Sequence, residues 1–133
     1  PKLVIDLATL TGAAVAAIGQ SGIVAMGTAD ERTKDKLKHS GNQTFERLAE
    51  MPFWDDYDEM IKSDIADMKN TGERYGGAIT AALFLQDFVK AELKWAHLDI
   101  AGPASNSKNH AYIPSGAAGF AVRTLVDFVL SQR

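Results

Sequence analysis

The 133-residue sequence contains no cysteine. Disulfide bonds, thiolate nucleophiles and cysteine-type zinc sites are therefore excluded, which is typical of proteins from a reducing compartment. The sequence also has no apolar run as long as a membrane span or the core of a signal peptide. We therefore expect a cytoplasmic protein that makes no contact with a membrane.

Positive charge is also scarce, because 14 Lys and Arg residues face 17 Asp and Glu residues, for a net charge of −3. The lysines are dispersed among carboxylates, as in "DERTKDKLK", and form no basic face. Binding of nucleic acid is therefore not expected. The 46% of hydrophobic residues is the ordinary balance of a globular domain, and the chain is long enough to bury a core.

The opening of the chain predicts an α/β fold. Residues 2–10 are nearly continuous in apolar side chains, as in a strand covered on both faces of a mainly parallel sheet. "GAAVAAIG" then predicts a short helix and "GIVAMG" a second strand. We expect a partial, mainly parallel or mixed sheet flanked by helices. Because Pro1 leads directly into a buried type of strand, we also expect that more protein precedes it.

The rest of the chain continues this alternation. A charged surface helix is predicted over 30–40 and is closed by Gly41, and a helical face is formed by Trp54, Tyr57 and Ile61. A short strand in "DIADMKN" comes next, before a helix over 78–90. A strand in "KWAHLDIAG" and a final helix complete the chain. The final helix is expected to bury six apolar positions: Ala118, Ala121, Val122, Leu125, Val126 and Val129. "TFERLAEMP" has helical spacing but is stopped early by Pro52, so no element is assigned to it.

Two strand ends, "ATLTG" and "DIAGPA", are the first candidates for a binding site. In open α/β sheets ligands bind outside the carboxyl ends of strands. Small residues followed by Gly12 and Gly102 allow a ligand to approach the backbone. The alternative is that each glycine only turns the chain. Two such ends in one chain favour a pocket.

The ionisable residues give weaker signals. His39 lies in the charged helix and His110 in a polar loop, whereas His97 alternates with Asp99 along one strand face. That pair would suit a metal or acid–base chemistry, but a hydrogen-bonded core pair is the favoured interpretation. Asp6, within a buried type of strand, needs a partner or a function.

Nucleotide-binding and hydrolase motifs are absent: no G-x-G-x-x-G, G-x-x-x-x-G-K-[ST], H-E-x-x-H or G-x-S-x-G occurs in the chain. Arg74 in "TGERYGG" would suit an anion clamp, although a solvated loop arginine is the default interpretation.

Five blocks in order carry a resemblance to a known family: "VIDLATLTGA", "MPFWDDYDEMIKSDIADMKN", "GGAITAALFL", "KWAHLDIAGPA" and "SGAAGFAVRTLVDFV". Together they resemble the leucyl aminopeptidase (cytosol aminopeptidase) family. The resemblance implies a hexameric enzyme that removes N-terminal residues such as leucine from peptides with two divalent metal ions, zinc or manganese. Such ions polarise the scissile carbonyl and activate a water molecule.

The family motif N-T-D-A-E-G-R, which carries part of its metal ligands and catalytic groups, is absent from this sequence. The resemblance therefore implies that residues 1–133 form the C-terminal portion of a larger catalytic domain. No metal ligand and no catalytic residue is expected here, and the segment alone is expected to be inactive. The alternative is a noncatalytic binding or assembly module of an aminopeptidase-like protein.

The resemblance instead implies a substrate-binding wall. The Leu10 carbonyl and the Gly12 amide match groups that contact the substrate backbone, and Thr9 and Gly12 border the pocket for the N-terminal side chain. Ala101 and Ala104 match other lining positions of that pocket, whose small residues imply a roomy site.

Two further roles complete the expected wall. Thr71 matches a position beside the residue that follows the cut. Asp6 is expected to orient neighbouring groups from within its strand. Because the family forms hexamers, exposed apolar edges and self-association are expected of the isolated segment.

Overall fold

The computed structural model describes residues 1–109 and 111–132, so His110 lies outside the described residues. Helices flank a four-stranded sheet, which confirms the predicted α/β class. The elements are β1 (Leu3–Ala8), α1 (Gly12–Ile18), β2 (Ile23–Met26), α2 (Glu31–Thr44), β3 (Leu48–Glu50), a 3₁₀ helix (Asp55–Ile61), α3 (Gly77–Gln86), β4 (Lys94–Asp99), β5 (Ser105–Asn106), β6 (Gly116–Ala117) and α4 (Val122–Leu130). None of these described helices combines the length and hydropathy needed to cross a lipid bilayer.

The main sheet is mixed and has the order β1-β4-β2-β3. β1 and β4 run parallel and pair from Leu3 with Lys94 to Ala8 with Asp99. β2 pairs in parallel with β3 but is antiparallel to β4. Since parallel strands end at the same edge of a sheet, the carboxyl ends of β1 and β4 lie side by side. That edge brings together the two strand ends predicted to bind a ligand.

Apolar side chains pack against both faces of the sheet. On one face Trp95, 1% exposed, lies in a cluster with residues of α1, α3 and the 3₁₀ helix. On the other face β4 contributes Leu98, α2 contributes Leu37 and α4 contributes Phe128. β1 is less covered than predicted, because it is the outer strand of the described sheet and Leu7 is exposed.

The predicted end of α2 at Gly41 is wrong, because the helix continues to Thr44. A Cβ added at Gly41 would lie 2.8 Å from the Glu46 carbonyl oxygen and 2.6 Å from Leu48 Cδ1. Glycine is therefore needed there for close packing, and Phe45 adopts the left-handed φ of 60° that ends the helix. A glycine marks a helix end only where its conformation, rather than its size, is required.

The segment between α2 and α3 differs from the prediction in two places. "TFERLAEMP", which had no assignment, contains β3 and extends the sheet beside β2. The strand predicted in "DIADMKN" is absent, since residues 62–76 contain no strand. Ser63 Oγ accepts the N–H groups of Ile65 (3.3 Å) and Ala66 (3.2 Å), and such local hydrogen bonds compete with a strand ladder.

The two long apolar helices are present, but their limits and faces differ from expectation. α3 is shorter than the predicted 78–90 helix, since it ends at Gln86. The predicted buried face of α4 is right for Ala121, which is buried, and wrong for Val122, Val126 and Val129, which are exposed. Thr124 and Phe128 are buried instead. α2 packs along that inner side. α4 therefore presents an apolar stripe to solvent.

Candidate functional site

One buried carboxylate joins the two predicted strand ends. Asp99, 1% exposed at the end of β4, accepts the Leu10 N–H at Oδ1 (3.2 Å) and the Thr11 hydroxyl at Oδ2 (2.7 Å). Its Oδ1 also accepts the Ala101 N–H at 3.1 Å. A buried carboxylate is costly unless donors satisfy it, so these three bonds hold Asp99 in place. They also fix the two strand ends against each other.

Thr11 reaches Asp99 because it begins the next helix. The Ala8 carbonyl accepts the Ile100 N–H (2.9 Å), after which the chain leaves the sheet. Thr11 takes the N-cap position of α1, where its hydroxyl accepts the Ala14 N–H at 3.0 Å. The same hydroxyl donates to Asp99. One side chain therefore starts α1 and ties it to β4.

The chain from the end of β1 to the first residue of α1 keeps two backbone groups free. Neither the Leu10 carbonyl nor the Gly12 N–H has a hydrogen-bond partner among residues 1–109 and 111–132. Both residues are exposed. Asp99 holds this segment in place, so its free backbone groups are suited to bind an extended ligand by main-chain hydrogen bonds.

The two predicted glycines have different surroundings. A Cβ added at Gly102 would lie 2.1 Å from the Gly19 carbonyl oxygen, so packing alone requires glycine there. A Cβ added at Gly12 would meet nothing within 4 Å. A purely structural role therefore accounts for glycine at position 102 but not at position 12. The small size of Gly12 leaves open space beside the backbone.

A cavity of about 300 Å³ opens beside Leu10 and Thr11. The loop over 70–73, which includes Thr71, forms a second wall, and α3 contributes Phe84 to a third. Its volume is at the lower end of the range for small-molecule sites. The structure therefore brings Leu10 and Thr71 together, although they come from distant parts of the sequence.

The other four predicted positions lie outside this cavity in the part of the chain that the structure describes. Thr9 and Gly12 are exposed on either side of the Leu10–Thr11 step. Ala101 is half-buried beside Asp99, and Ala104 is half-buried with both its N–H and its carbonyl hydrogen-bonded. Three larger cavities, of about 410, 640 and 710 Å³, contain none of the six predicted positions.

Comparison with known proteins decides the family. The model of the cytosol aminopeptidase family, catalytic domain, matches residues 1–126. The chain belongs to the cytosol aminopeptidase family.

Named relatives agree with this family at high identity. A probable cytosol aminopeptidase of Geobacter sp. is 53% identical over 129 residues, which cover 97% of this chain and 26% of the relative. One from Prochlorococcus marinus is 51% identical over 132 residues, which cover 99% of this chain and 27% of the relative. The chain thus spans about a quarter of the length of the curated relatives it matches.

Solved structures of larger proteins share the fold. A mutant of tomato leucine aminopeptidase matches with a TM-score of 0.89 at 41% identity, over 98% of this chain and 25% of that chain. The bottromycin maturation enzyme BotP, solved in complex with Mn, matches with a TM-score of 0.93 at 40% identity, over 98% of this chain and 29% of that chain. Each match covers less than a third of the solved chain.

A second carboxylate of this cytosol aminopeptidase chain, Asp6, holds two aromatic rings. Its Oδ2 accepts the Trp95 Nε1–H (2.6 Å), and its Oδ1 lies 2.7 Å from His97 Nδ1. Because a carboxylate accepts hydrogen bonds, His97 carries its proton on Nδ1. The expected pairing of His97 with Asp99 is wrong, since each has another partner. The parallel register pairs Asp6 on β1 directly with His97 on β4. Asp6 therefore lies closer to His97 than Asp99 does, which is two positions further along the same strand.

The described residues do not fit a metal centre. No group of three or more His, Cys, Asp or Glu side chains suited to a metal ion occurs in residues 1–109 and 111–132. The carboxylates of Asp6 and Asp99 are already occupied by protein donors, and His97 is fully buried. No step of the chemistry is therefore assigned to a metal held by these residues.

Sequence reasoning missed one buried carboxylate, Glu46, which is 1% exposed. It accepts the Thr124 N–H (2.9 Å) and hydroxyl (2.8 Å) and the Arg123 Nε–H (3.1 Å). These donors lie in the first turn of α4. Glu46 thereby fixes the start of α4, and nothing in the local pattern of "TFERLAEMP" indicates a partner 78 positions away.

Proposed function

We propose that this chain forms the C-terminal part of the catalytic domain of a metal-dependent aminopeptidase, and that it supplies the wall along which a peptide lies. One observation carries the proposal: Asp99 fixes a segment whose Leu10 carbonyl and Gly12 N–H are free. An extended peptide bound there would receive one hydrogen bond and donate another. The adjacent cavity, with Thr71 in its wall, would receive the residue that follows the cut.

In the proposed wall the remaining positions border the N-terminal side chain of the substrate. Thr9 and Gly12 are exposed beside the fixed segment, and Ala101 is tied to it through Asp99. Ala104, two residues beyond the tightly packed Gly102, would complete the pocket. Such small residues favour a site that accepts leucine and side chains of similar size.

The proposed metal ions would bind outside this segment. We propose two divalent ions, manganese or zinc, in the full-length enzyme; membership of the cytosol aminopeptidase family and the Mn complex of BotP support its dependence on metal. Their ligands would come from residues outside this chain. The names of the relatives, cytosol aminopeptidases, support a cytoplasmic location.

Exposed apolar surface supports assembly with further protein. Val122, Val126, Val129 and Leu130 are all more than half exposed on α4. β1 is also an outer strand in the described sheet. Such surfaces are normally covered. We therefore propose that they are buried in a homo-oligomer, a hexamer in the full-length enzyme.

The test compares three proteins for release of leucine from a leucyl dipeptide with Mn²⁺ or Zn²⁺ added. They are the full-length protein that contains this chain, the 133-residue chain alone, and the Geobacter relative with its matching quarter replaced by this chain. Activity in the first and third only is expected. Activity of the chain alone would overturn the proposal that this chain supplies the substrate wall while residues outside it hold the metal ions. An inactive full-length protein that still binds peptides would favour the noncatalytic binding module.

A further inference from the structure

The cavity beside Leu10 carries one charge. Of the residues that line it, Glu73 alone has a charged side chain. Glu73 is exposed and forms no hydrogen bond or ion pair through its side chain within residues 1–109 and 111–132. The neighbouring cations Lys69 and Arg74 do not line the cavity and do not pair with Glu73. The cavity is therefore anionic at its loop wall.

The wall of the cavity formed by α3 is apolar. α3 contributes Ala81, Phe84 and Leu85, and Leu10 adds a further aliphatic side chain. A ligand group that suits both walls has a hydrocarbon stem and a cationic end. The side chain of lysine or arginine has this construction, because its methylene groups pack on apolar surface while its charged end stays in water or meets a carboxylate.

We propose that Glu73 is a specificity-determining residue that favours substrates with lysine or arginine directly after the cut. The inference rests on the proposed function, in which the cavity that contains Thr71 receives that residue. The stem of the side chain packs against Phe84 and Leu85, and its cation pairs with the Glu73 carboxylate. An exposed ion pair of this kind favours a substrate by about two- to fivefold.

The test uses the full-length enzyme and three substrates: leucyl-lysine, leucyl-norleucine, which has a similar stem without the charge, and leucyl-glutamate. In Glu73→Gln, kcat/KM for leucyl-lysine should fall by about two- to fivefold relative to leucyl-norleucine, mainly through a higher KM. Charge reversal in Glu73→Lys should lower it further and raise kcat/KM for leucyl-glutamate. The difference should shrink at high salt, because exposed charges are screened.

Glu92→Gln is the matched control, since it removes the same charge from an exposed position just before β4, at the far end of that strand from the cavity. It should leave the ratio of the substrates unchanged. An unchanged ratio in Glu73→Gln, or an equal change in Glu92→Gln, would overturn the inference while hydrolysis of leucyl-norleucine still supported the proposed function. If the unmutated enzyme hydrolysed none of the three dipeptides, the proposed function would fail, and the inference with it.

Discussion

Two regions of the molecule use a buried carboxylate in the same way and with different consequences. Asp99 and Glu46 are each 1% exposed, and each accepts three hydrogen bonds. Each joins segments that are far apart in sequence, Asp99 to Leu10 and Glu46 to Thr124. The burial of a carboxylate and the number of its hydrogen bonds therefore do not distinguish a binding site from a purely structural contact.

The difference lies in what the bonded segment leaves free. The donors to Glu46 are the start of α4 and the Arg123 side chain, so its bonds serve to hold a helix. Two of the three donors to Asp99, the Leu10 N–H and the Thr11 hydroxyl, belong to a segment whose Leu10 carbonyl and Gly12 N–H have no partner in the described residues. A buried carboxylate indicates a binding site when it fixes backbone that still has unused hydrogen-bonding groups beside a cavity.

The largest loss of stability is expected for Glu46→Ala. This change leaves the buried Thr124 N–H without its acceptor and the Thr124 hydroxyl with only the Thr44 hydroxyl as a partner at 2.9 Å, and should lower the free energy of unfolding by about 2–4 kcal/mol. Urea denaturation of the full-length enzyme measures the loss. kcat/KM of the molecules that remain folded should be unchanged, because Glu46 lies outside the proposed wall.

Glu50→Ala provides the control for Glu46→Ala. Glu50 is partly exposed; burial opposes its ionisation, but Lys38 and Lys34 outweigh that effect and lower its pKa. Its removal should cost less than about 1 kcal/mol, as for other surface ion pairs. An equal loss in the two variants would show that burial of Glu46 is not the cause.

Asp99→Asn should reverse the pattern, with a smaller loss of stability and a larger loss of activity. The amide oxygen retains the bonds from Leu10 and Ala101, but the amide nitrogen cannot accept the Thr11 hydroxyl. We expect about 1–3 kcal/mol less stability and at least about tenfold lower kcat/KM, because misplaced binding groups are costly. Retention of full kcat/KM with reduced stability would place Asp99 in the same class as Glu46.

Much of this architecture could be predicted from the sequence because short-range patterns determine it. The apolar runs located β1, β2 and β4, whereas the position of the two glycine-bearing strand ends at one sheet edge follows from the parallel pairing of β1 with β4. The C-terminal end of α2 and the exposed stripe of α4 could not be predicted. Gly41 is required by its close contact with the Glu46 carbonyl oxygen, and the inner side of α4 is set by the hydrogen bonds that Thr124 donates to the Glu46 carboxylate.

The partners of buried polar groups were the least predictable part of the site. Alternation along β4 placed His97 and Asp99 on one face correctly, but their partners come from β1 and from the segment that follows it. Which residue stands beside His97 depends on the register of β1 against β4. That register is a property of the assembled sheet and not of either strand.

Thr11→Ala should have a moderate effect that separates capping from binding. Loss of the N-cap hydroxyl removes the acceptor for Ala14 N–H and one donor to Asp99, at a cost of about 1 kcal/mol. Thr11→Ser keeps the hydroxyl and should retain both stability and activity. Thermal denaturation and kcat/KM of the full-length enzyme test this pair. If Thr11→Ser were as damaging as Thr11→Ala, the methyl group rather than the hydroxyl would be responsible.

Gly12→Ala is expected to have the smallest effect on stability and so gives the sharpest test of the wall. An added Cβ meets no atom within 4 Å, and the residue is the first of α1, where alanine is well tolerated. The free energy of unfolding should change by less than about 0.5 kcal/mol. If the Gly12 N–H contacts substrate, the new methyl group stands in the space that the peptide needs, and KM should rise. Ala16→Ser, at an exposed position of the same helix, should change neither quantity. A normal KM in Gly12→Ala would remove Gly12 from the substrate-binding wall, because the Gly12→Ala protein is expected to fold as the unmutated protein does.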